Sequence, residues 1–343
     1  MGITIKKIAS DLSLAVSTVS KALGDSHEIS EETKKRVLAY VKKLNYVPNA
    51  SASSLKKRKT GNIAVVVPEV ADSYFSTAIN GIESVAQIKG YHVIIYITHE
   101  DQVKEQSILQ QFKSGRVDGV LMSASSGKKI TKHVRELIAS KVPLVFFDRA
   151  CEDIEAAKVL TNDFESAYWA TALLIKKGCK GIAFLKMSEN LYIIQQRLKG
   201  YQKALQDHGV KMEKEYIVSC TSQDLKNHLL IKKLLSREGR PQGIVGSTEK
   251  LTTLSYTVCN ELGLKIPGDI KIVGFSSMAI ASLLNPSLTT ITQPAFEMGK
   301  AAATILFRIL SGVKTDQKVE KVVIPSTLYE RGSTGEYPSS NRQ

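Results

Sequence analysis

From Gly61 onward the chain alternates short apolar runs with polar, helix-patterned segments, and no other feature constrains its fold as strongly. The runs "NIAVVVP", "YHVIIYI", "DGVLMSA" and "PLVFFD" have the length of buried strands, and residues 73–89 and 102–114 between them have helix-like patterning. The pattern resumes with "KVLTN", "GIAFLK", "YIVSC", "QGIVG" and "DIKIVGF". Near-continuous apolar strands separated by helices predict parallel sheets covered on both faces. Nine such units are many for one open sheet, so the expected fold is α/β with two lobes. Ligands of such sheets sit beyond the carboxyl ends of the strands, and two lobes can turn those ends toward one shared cleft.

The segment before Gly61 reads differently. Ile5, Ile8, Ala9 and Leu12 follow the spacing of one buried helix face, with Thr4 as a plausible N-cap. A second short helix, within "SLAVSTVSKALG", can turn Val19, Ala22 and Leu23 inward and leave Val16, Ser17, Ser20 and Lys21 outside. A third begins "SEET", where Ser30 can cap and Glu31 and Glu32 suit the positive end of the helix dipole. Its apolar face is expected from Val37, Leu38, Val41 and Leu44. Residues 1–60 hold 12 Lys and Arg against 5 Asp and Glu, so half of the chain's net +14 lies in about a sixth of its length. Charge concentrated in this way suggests a polyanionic partner. Three short helices on one small core fit a helix-turn-helix unit, whose second helix lies in the major groove. Small outward side chains allow close approach: Ser, Thr and Lys can meet phosphates or base edges, and Val a thymine methyl.

Other signals narrow the class. No apolar run approaches the ~18 residues of a membrane span, and the start "MGITIKKIASD" lacks a secretory signal, so a cytoplasmic protein is expected. Cys151, Cys179, Cys220 and Cys259 are far apart, without zinc-ligand spacing, and read as reduced thiols. No nucleotide-binding loop, nucleophile elbow or metalloprotease motif occurs, and the six histidines have no partner at a diagnostic spacing, so neither an enzyme nor a metal or cofactor is expected.

"ITIKKIASDLSLAVSTVSKAL" followed by "ISEETKKRVLAYVKKLNYVPN" resembles the DNA-binding domain of the lactose/galactose-repressor family of bacterial regulators. The likeness continues through "NASASSL" and "GNIAVVVPEVADSYFSTAINGIE", then "FFDR", "QQRLKGYQKAL", "KIPGDIKIVGFSS" and "PSLTTITQPAFEMGKAA", and covers residues 3–331 in order. It implies a DNA-binding domain over 1–48, a hinge over 49–60, a two-lobed effector-binding and dimerisation domain over 61–331, and a disordered tail over 332–343. By that resemblance Val16, Ser17 and Lys21 read bases, and Thr4, Thr18, Ser20, Ser30, Thr33, Tyr46 and Asn49 support phosphate contact. In the hinge, Ala52 and Leu55 lie on one side of a short helix, and Leu55 fits a minor-groove wedge flanked by four cations, Lys56 to Lys59. Two departures stand out. Ser13 occupies the usual turn glycine, which costs ~1–2 kcal/mol if that residue is left-handed. Ala15 replaces the usual hydroxyl cap, a loss of about 1 kcal/mol.

The two-lobed part also resembles type I periplasmic sugar-binding proteins. The resemblance places Phe75 on the cleft wall, with Asp148, Arg197 and Ser276 at polar effector-binding positions. An Asp/Arg pair can hold vicinal hydroxyls while an aromatic covers an apolar sugar face. Asn162 stands where an acid is common, leaving Asp163, and Thr248, Glu249, Ser276 and Ser277 also differ from the common pattern, so a sugar, a sugar acid or another small metabolite all remain open, and Arg149 either favours an anion or pairs locally. The implied protein is a homodimeric, effector-responsive regulator, a repressor in type, of a palindromic DNA operator. The competing reading is a solute-binding protein for transport, which the basic N-terminal segment disfavours.

Overall fold

A computed structural model describes residues 3–46, 59–125, 130–187, 191–312 and 320–335. Two compact units, residues 1–60 and 61–343, divide the chain.

The first unit contains α1 (Ile5–Asp11), α2 (Val16–Leu23) and α3 (Glu31–Lys43) around Ile8, Ala9, Leu12, Val19, Ala22 and Val37. Thr4 caps α1 by accepting from Lys7 N at 3.3 Å, and Ser30 caps α3 by accepting from Thr33 N at 3.3 Å. All three helices end in the same way. Leu14 N donates to Ala9 O and Ser13 N to Ser10 O, Ser26 N to Lys21 O and Asp25 N to Ala22 O, and Tyr46 N to Val41 O and Asn45 N to Lys42 O. These paired bonds satisfy helix-end carbonyls and require a left-handed residue, here Ser13 (φ 54°), Asp25 (φ 50°) and Asn45 (φ 47°). Leu38 departs from the expected apolar face: it is 51% exposed, because Val37, Val41 and Leu44 share one helix stripe and Leu38 is turned about 100° from Val37.

The second unit runs β1 (Asn62–Val67), α4 (Ser73–Ile88), β2 (His92–Ile97), α5 (Gln102–Phe112), β3 (Gly119–Met122), α6 (Ile130–Ala139), β4 (Leu144–Phe147) and β5 (Ala157–Leu160). It continues with α7 (Asp163–Lys176), β6 (Ile182–Lys186), α8 (Tyr192–Asp207), β7 (Ile217–Ser219), α9 (Asp224–Ser236), β8 (Gly243–Gly246), α10 (Glu249–Glu261), β9 (Lys271–Phe275), β10 (Thr289–Thr292), α11 (Ala295–Leu310), β11 (Lys321–Val323) and β12 (Thr327–Tyr329). The N-terminal lobe holds a parallel sheet in the order β11-β5-β4-β3-β1-β2. The C-terminal lobe holds β12-β10-β9-β8-β6-β7, with β12 antiparallel to β10. Alternation explains the continuous apolar strands: Ile63, Val65 and Val67 pack on one face with α4 and α11, while Ala64 and Val66 pack on the other with α5 and α6. In the other lobe Ala183 and Leu185 face one core and Ile182 and Phe184 the second.

Two helix pairs approach at backbone distance. A Cβ on Gly81 of α4 would stand 2.1 Å from Phe296 O of α11, and one on Gly299 of α11 2.0 Å from Ala78 O of α4. Gly200 of α8 does the same against Phe164 O of α7, at 2.1 Å. Helix α11 follows a strand of the C-terminal lobe yet buries Met298, Ala302 and Leu306 in the N-terminal lobe.

The chain therefore passes between the lobes three times, at residues 161–162, 293–294 and 324–326. The crossings are bonded to one another: Ser326 N donates to Asn162 Oδ1 at 2.8 Å, and Gln293 Nε2 to Thr161 Oγ1 at 3.5 Å.

The expected disordered tail needs correction at its start. Gly332–Thr334 form a 3-10 turn with Ser333 and Thr334 buried. Ser333 Oγ donates to Ile272 O at 2.6 Å and accepts from Thr289 N at 2.8 Å, so hydroxyls rather than apolar side chains fasten the segment. Residues 336–343 lie outside the described residues.

Candidate functional site

The outer face of the first unit is built by α2. Val19 and Ala22 hold the helix to the core, which leaves Val16 (42% exposed) and Ser17 outward and Thr18, Ser20 and Lys21 half-buried. Ala15 is the N-cap and offers no side-chain acceptor to the first-turn N–H groups. The Lys21 ammonium pairs with the Glu28 carboxylate. Thr4, Ser30 and Thr33 are engaged in caps, with Ser30 Oγ and Thr33 Oγ1 2.9 Å apart. Tyr46 packs half-buried against the core. Lys6, Lys7, Lys35, Lys42 and Lys43 are exposed. Lys34 is buried between Asp25 and Glu31, at 2.8 Å from each. Asn49, Ala52 and Leu55 lie outside the described residues, as do Lys56, Lys57 and Arg58.

In the second unit a cavity of about 880 Å³ lies between the lobes. Asp72, Phe75, Glu100 and Arg149 line it from one side, and Lys186, Met187, Leu191, Ile194, Thr248, Glu249 and Met278 from the other. A smaller recess adjoins it, and here Phe75, Asp148, Arg197 and Ser276 come together with Gln293 and Phe275. Only Phe75 of those four also lines the large cavity.

Asp148 follows the carboxyl end of β4 in a left-handed conformation, φ 60°, and is 5% exposed. Its Oδ1 accepts from Gln293 Nε2 at 3.3 Å and its Oδ2 from Ser123 Oγ at 3.4 Å, with Arg149 Nε 3.6 Å away. Burial pushes the Asp148 carboxyl above its usual range, against the pull of Arg149 and Arg197. Arg197 pairs with Asp163 rather than with Asp148. Its Nε donates to Asp163 Oδ1 at 2.7 Å, its Nη1 donates to Ser247 O at 2.6 Å, and its guanidinium lies 3.8 Å from the Phe275 ring centroid. The Arg/Asp clamp expected from the sequence is therefore closed by the acid that opens α7. Arg149 also pairs locally, with Glu100 at 2.5 Å, and lies 5.6 Å from the Phe75 ring centroid.

Asp72 caps α4, accepting from Tyr74 N at 2.8 Å, and burial raises its pKa. Sequence reasoning missed Asp72, Glu100, Gln293 and the apolar wall of Met187, Leu191, Ile194 and Met278. The "ADS" ahead of α4 carried a cap signal, whereas the apolar wall had none, since its residues read as ordinary core.

The four cysteines are free, and burial pushes Cys151 up to about 12 and Cys220 and Cys259 to about 11, far from the reactive range. Among the described residues, no His, Cys, Asp and Glu group could hold a metal ion, and no helix is long and apolar enough to cross a membrane.

Residues 4–49 match the family model for bacterial regulatory proteins of the lacI family, and residues 171–334 match a periplasmic binding protein-like domain. The chain is 30% identical over 336 residues to the HTH-type transcriptional regulator RegA of Clostridium saccharobutylicum, covering 97% of this chain and 100% of that one. In fold it is similar to the Lac repressor dimer bound to operator and an anti-inducer (TM-score 0.81, 20% identity, 98% and 100% coverage). It is also similar to the transcriptional regulator CelR in complex with cellobiose (TM-score 0.73, 22% identity, 97% and 100% coverage).

Proposed function

The chain belongs to the lacI family of bacterial regulatory proteins, DNA-binding transcriptional regulators rather than enzymes, and from this we propose that it represses transcription as a homodimer on a palindromic operator under the control of a small metabolite. In this reading residues 1–48 hold the DNA, 49–60 form the hinge, and 61–331 bind effector and dimerise. Val16, Ser17 and Lys21 read bases. Thr4, Thr18, Ser20, Ser30, Thr33, Tyr46 and Asn49 position the backbone, and Ala52 and Leu55 act in the minor groove. The uncapped start of α2 supports this reading, since its first N–H groups suit a phosphate oxygen. Exposed Leu225 and Leu229 on one face of α9, with Ile280 and Leu283 beyond β9, offer apolar surface for a second copy to cover. Two-fold symmetry then demands an operator of two related half-sites.

The effector is assigned to the interlobe cavity and its recess, and a sugar or sugar derivative is the class we favour. One observation carries this reading: an aromatic, two buried charged groups and a serine hydroxyl, drawn from both lobes, line one recess. A binder there shifts DNA affinity only if it favours one lobe arrangement over the other. Acting on chromosomal DNA, the protein would work in the cytoplasm. The test is nuclease footprinting of full-length protein on genomic fragments at low ionic strength, with and without a sugar panel. A footprint that a sugar strengthens or erases is expected. Absence of any footprint refutes the DNA reading, and indifference to every sugar refutes the effector class.

A further inference from the structure

Glu249, the first residue of α10, accepts two hydrogen bonds on one carboxylate oxygen. Ser73 Oγ donates to its Oε2 from the opposite lobe, and Ser276 Oγ from its own, each at 2.6 Å. Ser73 is in turn the first residue of α4, whose cap is Asp72. The N-terminal ends of α4 and α10 therefore meet across the cleft through a single carboxylate. Burial raises the Asp72 pKa, and the Glu249 charge adds to that rise. Two helix N-termini would ordinarily attract an anion, but here the chain's own carboxylates stand over both. The cations of the cavity wall are engaged as well: Arg149 with Glu100 and Asp148, and Lys250 with Asp224 at 2.5 Å. Lys186 also has a partner of its own.

We propose that Glu249 is an exchangeable latch between the lobes and selects the charge of the effector: a ligand enters by giving this carboxylate a hydroxyl or ammonium donor in place of Ser73, so the cleft takes neutral polyols or amines and rejects anions. The inference rests on reading the cleft as the effector site. An anionic ligand would bring another negative charge to Asp72 and Glu249 and set acceptor against acceptor. A donor-bearing ligand instead inherits a bond that is already aligned, while its apolar face lies on Met187, Leu191, Ile194 and Met278. Ser73 competes for the same oxygen, so its hydroxyl lowers the apparent affinity for the ligand.

The experiment titrates full-length protein by calorimetry with common pentoses, hexoses and disaccharides, each beside its amino, aldonic-acid and phosphate forms. A neutral or amino member is expected to bind at least about tenfold tighter than its anionic counterparts. Ser73→Ala should tighten that binding about threefold by removing the competitor, and Glu249→Gln should erase the charge preference. A ligand-independent measurement runs beside it: spin labels at Lys89→Cys and Lys211→Cys, in a Cys151→Ser background, report the lobe separation. Ser73→Ala should lengthen that separation, and Ser76→Ala should leave it unchanged. An anion binding tighter than its neutral parent overturns the proposal. So do silence across the whole panel, Ser73→Ala weakening the ligand as much as Glu249→Gln, and an unmoved separation in Ser73→Ala. Footprints of the same variants read DNA binding separately, so loss of the latch and loss of the regulator reading are told apart.

Discussion

Arg197 and Asp163 form an ion pair with almost no access to water: Nε to Oδ1 is 2.7 Å, and the side chains are 3% and 6% exposed. The pair joins α8 to the start of α7, and Ser247 O and the Phe275 ring hold the rest of the guanidinium. Arg197 is thereby a fixed wall of the recess. Removing one member of a buried pair leaves the other charge uncompensated, a cost of about 3–5 kcal/mol. Arg197→Met should lower stability by that order in denaturant melts of the full chain. Asp163→Asn combined with Arg197→Met should recover part of the loss. A double variant no better than the single one would refute the pairing argument.

Lys21, which we propose reads bases, is tied to Glu28. Glu28→Gln should free the ammonium and remove a negative charge from the DNA-facing unit. The expected result is tighter operator binding and a log–log salt slope steeper by about one. Lys21→Ala should cost more on operator than on nonspecific DNA. Equal losses on both would remove the base-reading role.

Ser13 sits at φ 54° and closes the turn between α1 and α2. Ser13→Gly should stabilise the isolated residues 1–60 by about 1 kcal/mol, the relief of the side chain's left-handed strain being partly offset by glycine's entropy. Ala15→Thr should add a capping bond worth about 1 kcal/mol. Thermal melts of each variant check both, and an unmoved midpoint for Ser13→Gly would exclude strain at that turn.

Glu105, 1% exposed, accepts from Ser125 N at 2.9 Å and from Ser125 Oγ at 2.7 Å, while its Oε1 has no hydrogen-bond partner among the described residues. Burial raises its pKa above the ordinary 4.5. Between that value and the raised one, the folded chain keeps a proton that the unfolded chain has released. Stability from this group therefore falls as pH rises through the window and levels above it. Asp72, Asp148 and Asp163 are shifted the same way, so the comparison is with Glu105→Gln. That variant should lose part of the pH slope in urea midpoints measured from pH 4 upward. Identical slopes would show that Glu105 is not protonated preferentially in the fold.

Nine of the twelve described strands were legible because each is an apolar run of local sequence. The other three were not. "TTIT" of β10 is mostly hydroxyl-bearing, and β11 and β12 are three-residue strands that exist because the chain returns to each sheet after α11. Topology of that kind leaves no local pattern. Leu38 shows the reverse fault, an apolar residue read as core that the helix turns outward. At the cleft, the resemblance pointed to Phe75, Asp148, Arg197 and Ser276, and all four line the recess. Their partners could not be read: Asp163 for Arg197 and Glu249 for Ser276 are 34 and 27 positions away and meet only in the folded chain.

The bonded strap of crossings has a mechanical consequence. Twisting the lobes against each other would shear the Ser326–Asn162 and Gln293–Thr161 bonds that fasten the three segments together. Gln293 also grips Asp148, so the strap feels the recess directly. A group that draws Asp148 toward itself therefore pulls, through one glutamine side chain, on the strap that joins the lobes.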